Sequence, residues 1–339
     1  MTILESAAPA RRKVSDHYRV FMSRRASLLP TLAAVAILIL LFIGAEIFLR
    51  GDFISPRNIS ALLLDNAFLV LLAVGMTFVI MTGGIDLSVG SVMAFTGIWL
   101  AKLLEAGTSL AIALPASLLA GALVGLLIGA LVQYFEVQPF IASLAGLFLA
   151  RGLAFVVSLA SIKVENTAVL SLQTTRFRFG DWYITPTGIL ALGVVLIGAY
   201  VMQYTRFGRT TYAIGGNQQA SLMGLKVSRT TVAVYVISGV CGGLAGLVLT
   251  AYSGAGYPRN GIGTELDVIA AVVIGGTLLT GGRGYMLGSM VGVFVYGTIK
   301  TIISFMGAEQ SWTQIIIGVL LLVFIVVQRA IVARSDRRS

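Results

Sequence analysis

Ten apolar stretches, nearly free of charge, set the first limit on what this chain can fold into. They lie near 28–49, 59–82, 87–104, 109–133, 139–160, 186–203, 231–252, 266–282, 284–306 and 313–328. A run of about 20 apolar residues crosses the hydrocarbon layer as a helix that satisfies its own backbone. Composition agrees: residues of the set AVILMFWYC make up 57% and charged residues only 11%. So few charges cannot cover a water-facing surface for 339 residues, because typical soluble chains carry about 25%. The expected fold is an all-α integral membrane protein of eight to ten spans. Glycine interrupts the stretches around 83–90 and 281–288, so a re-entrant or discontinuous helix is an open alternative there. The division that follows is a tail over 1–27, a transmembrane region over 28–329 and a basic tail over 330–339. The first run follows a polar tail and ends in GAEIFLRGDF without a small-x-small pattern, so it reads as a retained anchor.

The net charge of +10 is distributed by side. Arg11, Arg12, Lys13, Arg19, Arg24 and Arg25 precede the first run, and Arg206, Arg209, Lys226, Arg229, Arg283 and Arg329 fall on the same side of a ten-span arrangement. The positive-inside bias then puts both termini in the cytoplasm of a bacterial inner membrane. The basic excess marks topology, and nucleic acid is not called for. His17 is the lone histidine and lies in the polar tail; Cys241 is the lone cysteine and lies in an apolar run. A disulfide within the chain, a thiol-based metal site and a Ser-His-Asp triad within the spans are excluded. No Gly-Lys dipeptide occurs, so no phosphate-cradling P-loop exists. No catalytic constellation is found, and the expectation is a transport subunit with no cofactor of its own.

An internal repeat carries the main structural signal. TGGIDLSVGS at 82–91 and TGGRGYMLGS at 280–289 share T-G-G-x5-G-S. Gly83 and Gly84, and likewise Gly281 and Gly282, let the chain turn sharply and restart a helix, with Asp86 or Ser88 as N-cap. Such an element serves as a gate or simply as a tight capped loop. Charges inside spans are costly, which singles out Glu46, Asp65, Arg151, Asp267 and Lys300. Opposite signs at similar depth suggest Arg151 with Asp65 and Lys300 with Asp267, around a polar vestibule that includes Asn66. Glu46, Asp267 and Lys300 are also placed to snorkel to the interface. Glycines spaced by four, among them Gly121, Gly125 and Gly129, and Gly239 with Gly243, read as close helix packing. The polar loop 204–230 holds four basic residues and no acid. Within it Gly215, Gly216, Asn217, Ala220, Leu222, Met223 and Gly224 outline a short amphipathic helix, suited to a partner's groove or to lipid headgroups.

Four blocks resemble the ribose-type permease family of bacterial ABC importers: 66–97, 138–152, 205–225 and 265–289. The resemblance runs from about residue 30 to 329 and leaves the N-terminal tail uncovered. It implies a type II importer-like permease that forms half of a sugar pathway. Implied partners are a second, non-identical permease, an ATPase chain with two fused cassettes that holds ATP and Mg, and a periplasmic sugar-binding protein. Residues 204–230 match the family's cytoplasmic coupling segment, Arg151 its Arg-Gly, and Glu265 and Asp267 its E-L-D. Within the family the blocks look closest to galactofuranose importers, although ribose, xylose and arabinose permeases share them. An ion-coupled secondary transporter and a permease for amino acids or nucleosides are the rival classes.

Overall fold

The computed structural model describes residues 29–48, 51, 53–216, 224–307, 309 and 311–336, with side chains up to Val326. Among these, twelve helices follow in order: α1 (Leu29–Phe48), α2 (Pro56–Met81), α3 (Val89–Glu105), α4 (Leu110–Tyr134), α5 (Pro139–Val157), α6 (Thr167–Thr174), α7 (Pro186–Tyr204), α8 (Arg206–Gly216), α9 (Val227–Ser253), α10 (Thr264–Ile274), α11 (Met286–Phe305) and α12 (Ser311–Asp336). Each of the ten apolar stretches holds one helix, while α6 and α8 lie outside them. Seven helices are long and apolar enough to cross a membrane by themselves. The other three stretches hold the 17-residue α3, the 11-residue α10 and α12.

Several helices start where the sequence supplies a stop for backbone donors. Ser55 accepts from the Asn58 N–H and Pro56 opens α2; Thr185 accepts from the Gly188 N–H and Pro186 opens α7. Proline costs nothing at a first turn, whose N–H groups lack helical partners anyway. At the end of α9, Gly254 takes φ +66° and stops the helix in the left-handed region.

Burial sorts the helices into centre and rim. The most apolar window of α2 is 78% buried, and those of α9 and α11 are 61% buried, against 11% for α1. Glycine sets how closely α9 packs. A Cβ added to Gly121 would run into the Gly239 carbonyl, and one on Gly125 into the Tyr235 carbonyl, so α4 lies directly on α9. On another face of α9, Gly246 meets the Met93 carbonyl and Gly97 of α3. The spacing-by-four reading as packing holds for these glycines. Hydrocarbon gives no hydrophobic drive between helices, so close van der Waals contact has to supply the attraction.

The stretch 266–282 does not form one span. Helix α10 stops at Ile274, and Gly275 and Gly276 (φ +99°) begin an irregular segment up to α11. At 1.5 Å per residue α10 is about 16 Å long, half of what a crossing needs. Its entry is irregular as well. Gly256 packs on Ala101 and Ile98, and Gly261 packs on the Gly90 carbonyl, so loop 254–263 runs back along α3 to that helix's first turn. The fold does contain a discontinuous element, but its helix breaks off at Gly275, ahead of the 281–288 segment where the break was expected. Four short strands depart from a purely helical architecture: β1 (Ile162–Lys163) pairs with β4 (Ala255–Gly256), and β2 (Phe177–Phe179) with β3 (Trp182–Ile184), both antiparallel.

Candidate functional site

The two repeat copies meet at one end of the bundle, and α8 meets them there. Gly83 and Gly281 occupy equivalent positions and have nearly equal angles, φ +83° and +82°. A Cβ on Gly281 would stand 2.7 Å from the Gly83 nitrogen and 2.9 Å from the Gly215 Cα. A Cβ on Gly282 would stand 2.6 Å from the Gly216 Cα. Gly215 itself is pressed against the Met81 carbonyl and the Gly282 nitrogen. Two hydrogen bonds fasten the contact: the Gly282 N–H donates to the Met81 carbonyl at 3.0 Å, and the Tyr212 hydroxyl to the Gly284 carbonyl at 2.9 Å. Burial pushes the Tyr212 hydroxyl up to about 12, so it stays a donor throughout the physiological range. Gly216 points a vacant side into open space, with nothing within 4 Å of an added Cβ. Gly224, at φ +72°, borders a cleft of about 620 Å³ with Arg206, Arg209, Lys226 and Arg229. Asn217, Ala220, Leu222 and Met223 lie outside the described residues.

Beyond the first turn the chain enters the bundle. Asp86 is 1% exposed. Its carboxylate accepts from the Ser88 N–H at 2.9 Å, the Ser88 hydroxyl at 2.6 Å and the Ser238 hydroxyl of α9 at 2.7 Å. Ser88 occupies the N-cap position of α3 but makes no side-chain cap bond; Asp86 is the residue that binds the backbone donor. The start of α3 is enclosed, with Val89 1% and Ser91 0% exposed, so its free N–H groups face protein. Gly84 leaves room for the Tyr235 hydroxyl, 2.6 Å from where its Cβ would be.

The charged residues in the spans are arranged differently from the expected pairs. Arg151 donates through Nη1 to the Pro258 carbonyl at 2.6 Å and the Asn260 carbonyl at 2.7 Å. It therefore clamps the loop that runs back along α3, and it also feels the charge of Glu265. The pair with Asp65 does not form. Asp65 faces the Tyr252 hydroxyl and feels Lys300. Asp267 accepts from the Tyr296 hydroxyl at 2.9 Å and also feels Lys300. Lys300 thus stands near both carboxylates, but the only ion pairs within 4 Å among the described residues are Lys102–Glu105 and Lys163–Glu165. Asn66 turns inward, donates to the Leu62 carbonyl at 2.8 Å and fills the space beside Gly297. Glu46 caps a loop by accepting from the Ile54 N–H at 2.6 Å.

Residues 58–325 match the family model described as a branched-chain amino acid transport system permease component. The chain belongs to that permease family. Over 315 residues the permease is 43% identical to the inner membrane ABC transporter permease protein YjfF of Escherichia coli, which covers 92% of this chain and 95% of the relative. It is 44% identical over 315 residues to the fructose import permease protein FruG of Bifidobacterium longum, covering 90% and 92%. It is 38% identical over 289 residues to the ribose import permease protein RbsC of Bacillus subtilis, covering 83% and 87%. No solved structure gives a significant match. The ribose-type family expected from the four blocks is the one found, and the permease is a transport subunit rather than an enzyme.

Sequence reasoning missed Tyr212 and Tyr235. Both are single tyrosines whose value comes from a glycine far away in sequence, Gly284 for one and Gly84 for the other. It also missed the β2–β3 hairpin, where Arg176 stacks over Tyr183 at 4.7 Å. The alternation in FRFGDWYI, with Gly-Asp at its centre, was the available signal.

Proposed function

We propose that this permease is half of an ATP-driven importer of a monosaccharide in a bacterial inner membrane. ATP and Mg are held by a partner ATPase with two cassettes. A second, non-identical permease completes the pathway, and a secreted binding protein delivers the sugar. Both termini and the 204–230 segment face the ATPase side. The observation that carries the reading is the backbone contact between the end of α8 and both repeat turns. It gives a segment outside the bundle a direct hold on the starts of α3 and α11. Two of the three relatives, FruG and RbsC, are named for sugar import, which supports the cargo class. Galactofuranose is the first sugar to test, because within the family the sequence as a whole looks closest to the smaller permease of importers of that sugar. Fructose and ribose, for which two of the relatives are named, are its competitors.

The test is a sugar panel on the assembled importer with its own binding protein. ATP-dependent uptake of labelled galactofuranose above fructose and ribose is the expected result. Uptake of fructose or ribose alone would change the sugar and keep the mechanism. Uptake of an amino acid in place of all three would overturn the cargo class.

A further inference from the structure

At the α8 end, three stretches far apart in sequence touch through their backbones. They are Met81–Gly84, Gly281–Gly284 and the last turn of α8. We propose that this glycine junction is the transmission joint of the permease, with Gly215 and Tyr212 as its positioning residues. A displacement imposed on α8 passes through it to both repeat turns at once. The proposal rests on reading 204–230 as the segment that meets the ATPase, and it names where that movement goes.

The physical reason lies in what is missing at the contact. Two elements that meet through Leu or Met side chains absorb an ångström of movement by changing rotamers. Gly215, Gly281 and Gly282 have no side chain to yield, and each already stands within contact distance of another backbone atom. Close-packed interiors transmit displacement rather than damp it. The hydrogen bonds from Gly282 to Met81 and from Tyr212 to Gly284 keep the three parts together under pull as well as push. The output is also paired. Gly83–Gly84 leads into α3, and Gly281–Gly282 leads into α11. One input therefore moves two helix starts that occupy equivalent places in the repeat.

Gly215 adopts no left-handed angle, so alanine is allowed there by its own backbone and disturbs only the contact. In the reconstituted complex, Gly215→Ala is expected to lower uptake per ATP hydrolysed by about tenfold, the upper part of the range for mutations along a coupling path. Tyr212→Phe, which keeps the ring and removes one bond, is expected to lower the same ratio about threefold. Gly193→Ala on α7, where nothing lies within 4 Å of the added Cβ, is the control and should match wild type. A measurement on the wild-type complex covers the case in which Gly215→Ala fails to assemble. Hydrogen exchange across 80–84 and 280–285 should change together when a non-hydrolysable ATP analogue is added. No change in either peptide, or a change in one alone, would overturn the joint. So would normal coupling in both variants. A cysteine placed at Gly216 reads the underlying assumption separately. If it fails to crosslink to the ATPase, the coupling-segment reading falls and takes the joint with it. If it crosslinks while Gly215→Ala and Tyr212→Phe transport normally, only the joint is lost.

Discussion

Arg151 shows how a single residue was half legible. A guanidinium deep in an apolar helix demands a partner, and the sequence states that demand plainly. A search for opposite charge finds Asp65, yet the partners are the carbonyls of Pro258 and Asn260, which no side-chain inventory lists. Two charge-assisted bonds from one nitrogen fix a part-buried loop whose carbonyls would otherwise lose their donor. Replacing Arg151 with Met should therefore cost about 2–5 kcal/mol, since both carbonyls lose their donor. It should also raise the labelling rate of a cysteine at Asn260 by a membrane-impermeant maleimide. Exchanging the charges, Asp65→Arg with Arg151→Asp, should rescue neither stability nor uptake. Full rescue by that exchange would contradict the clamp. Asp86 was legible as a cap but not as a bridge: its second oxygen reaches Ser238 on α9, 152 positions away.

The elements were legible where hydrophobicity alone decides them, and each of the ten apolar stretches holds a helix, although that in 266–282 ends at Ile274. What blurred the boundaries is that apolarity does not distinguish a helix from apolar backbone buried in protein. Residues 275–279 lie inside an uncharged stretch, and Gly275–Gly276 marks the break. Glycine spacing was the better guide, because Gly121, Gly125 and Gly129 do lie against α9. That seam yields a sharp prediction. Gly125→Leu places a side chain where the Tyr235 carbonyl already sits, and the forced separation of α4 from α9 should cost about 3 kcal/mol or more. Gly152→Ala, with open space beside it, should leave the melting temperature in lipid nanodiscs near that of wild type. Equal melting of the two variants would mean that the seam does not hold α4 in place.

At the scale of the whole molecule, α2, α3, α9, α10 and α11 are the most buried helices, and α1, α4 and α5 stand outside them with more exposed faces. Polar groups such as Asp65, Tyr252, Lys300 and Asp267 gather near one end, and the glycine junction lies at the other. Sequence alone supplied the membrane class and the family, because the four blocks keep their order along most of the chain. The meeting of both repeat copies under α8 was not legible, because it depends on backbone approach between segments 198 positions apart. The central claim is that this permease moves sugar only when a partner hydrolyses ATP. The most direct measurement is uptake into proteoliposomes holding both permeases, with binding protein outside and ATP within, with and without the ATPase chain. Uptake should appear only when ATPase and ATP are both present, and should persist when ion gradients are collapsed. Uptake that continues without the ATPase and vanishes with the gradient would contradict it.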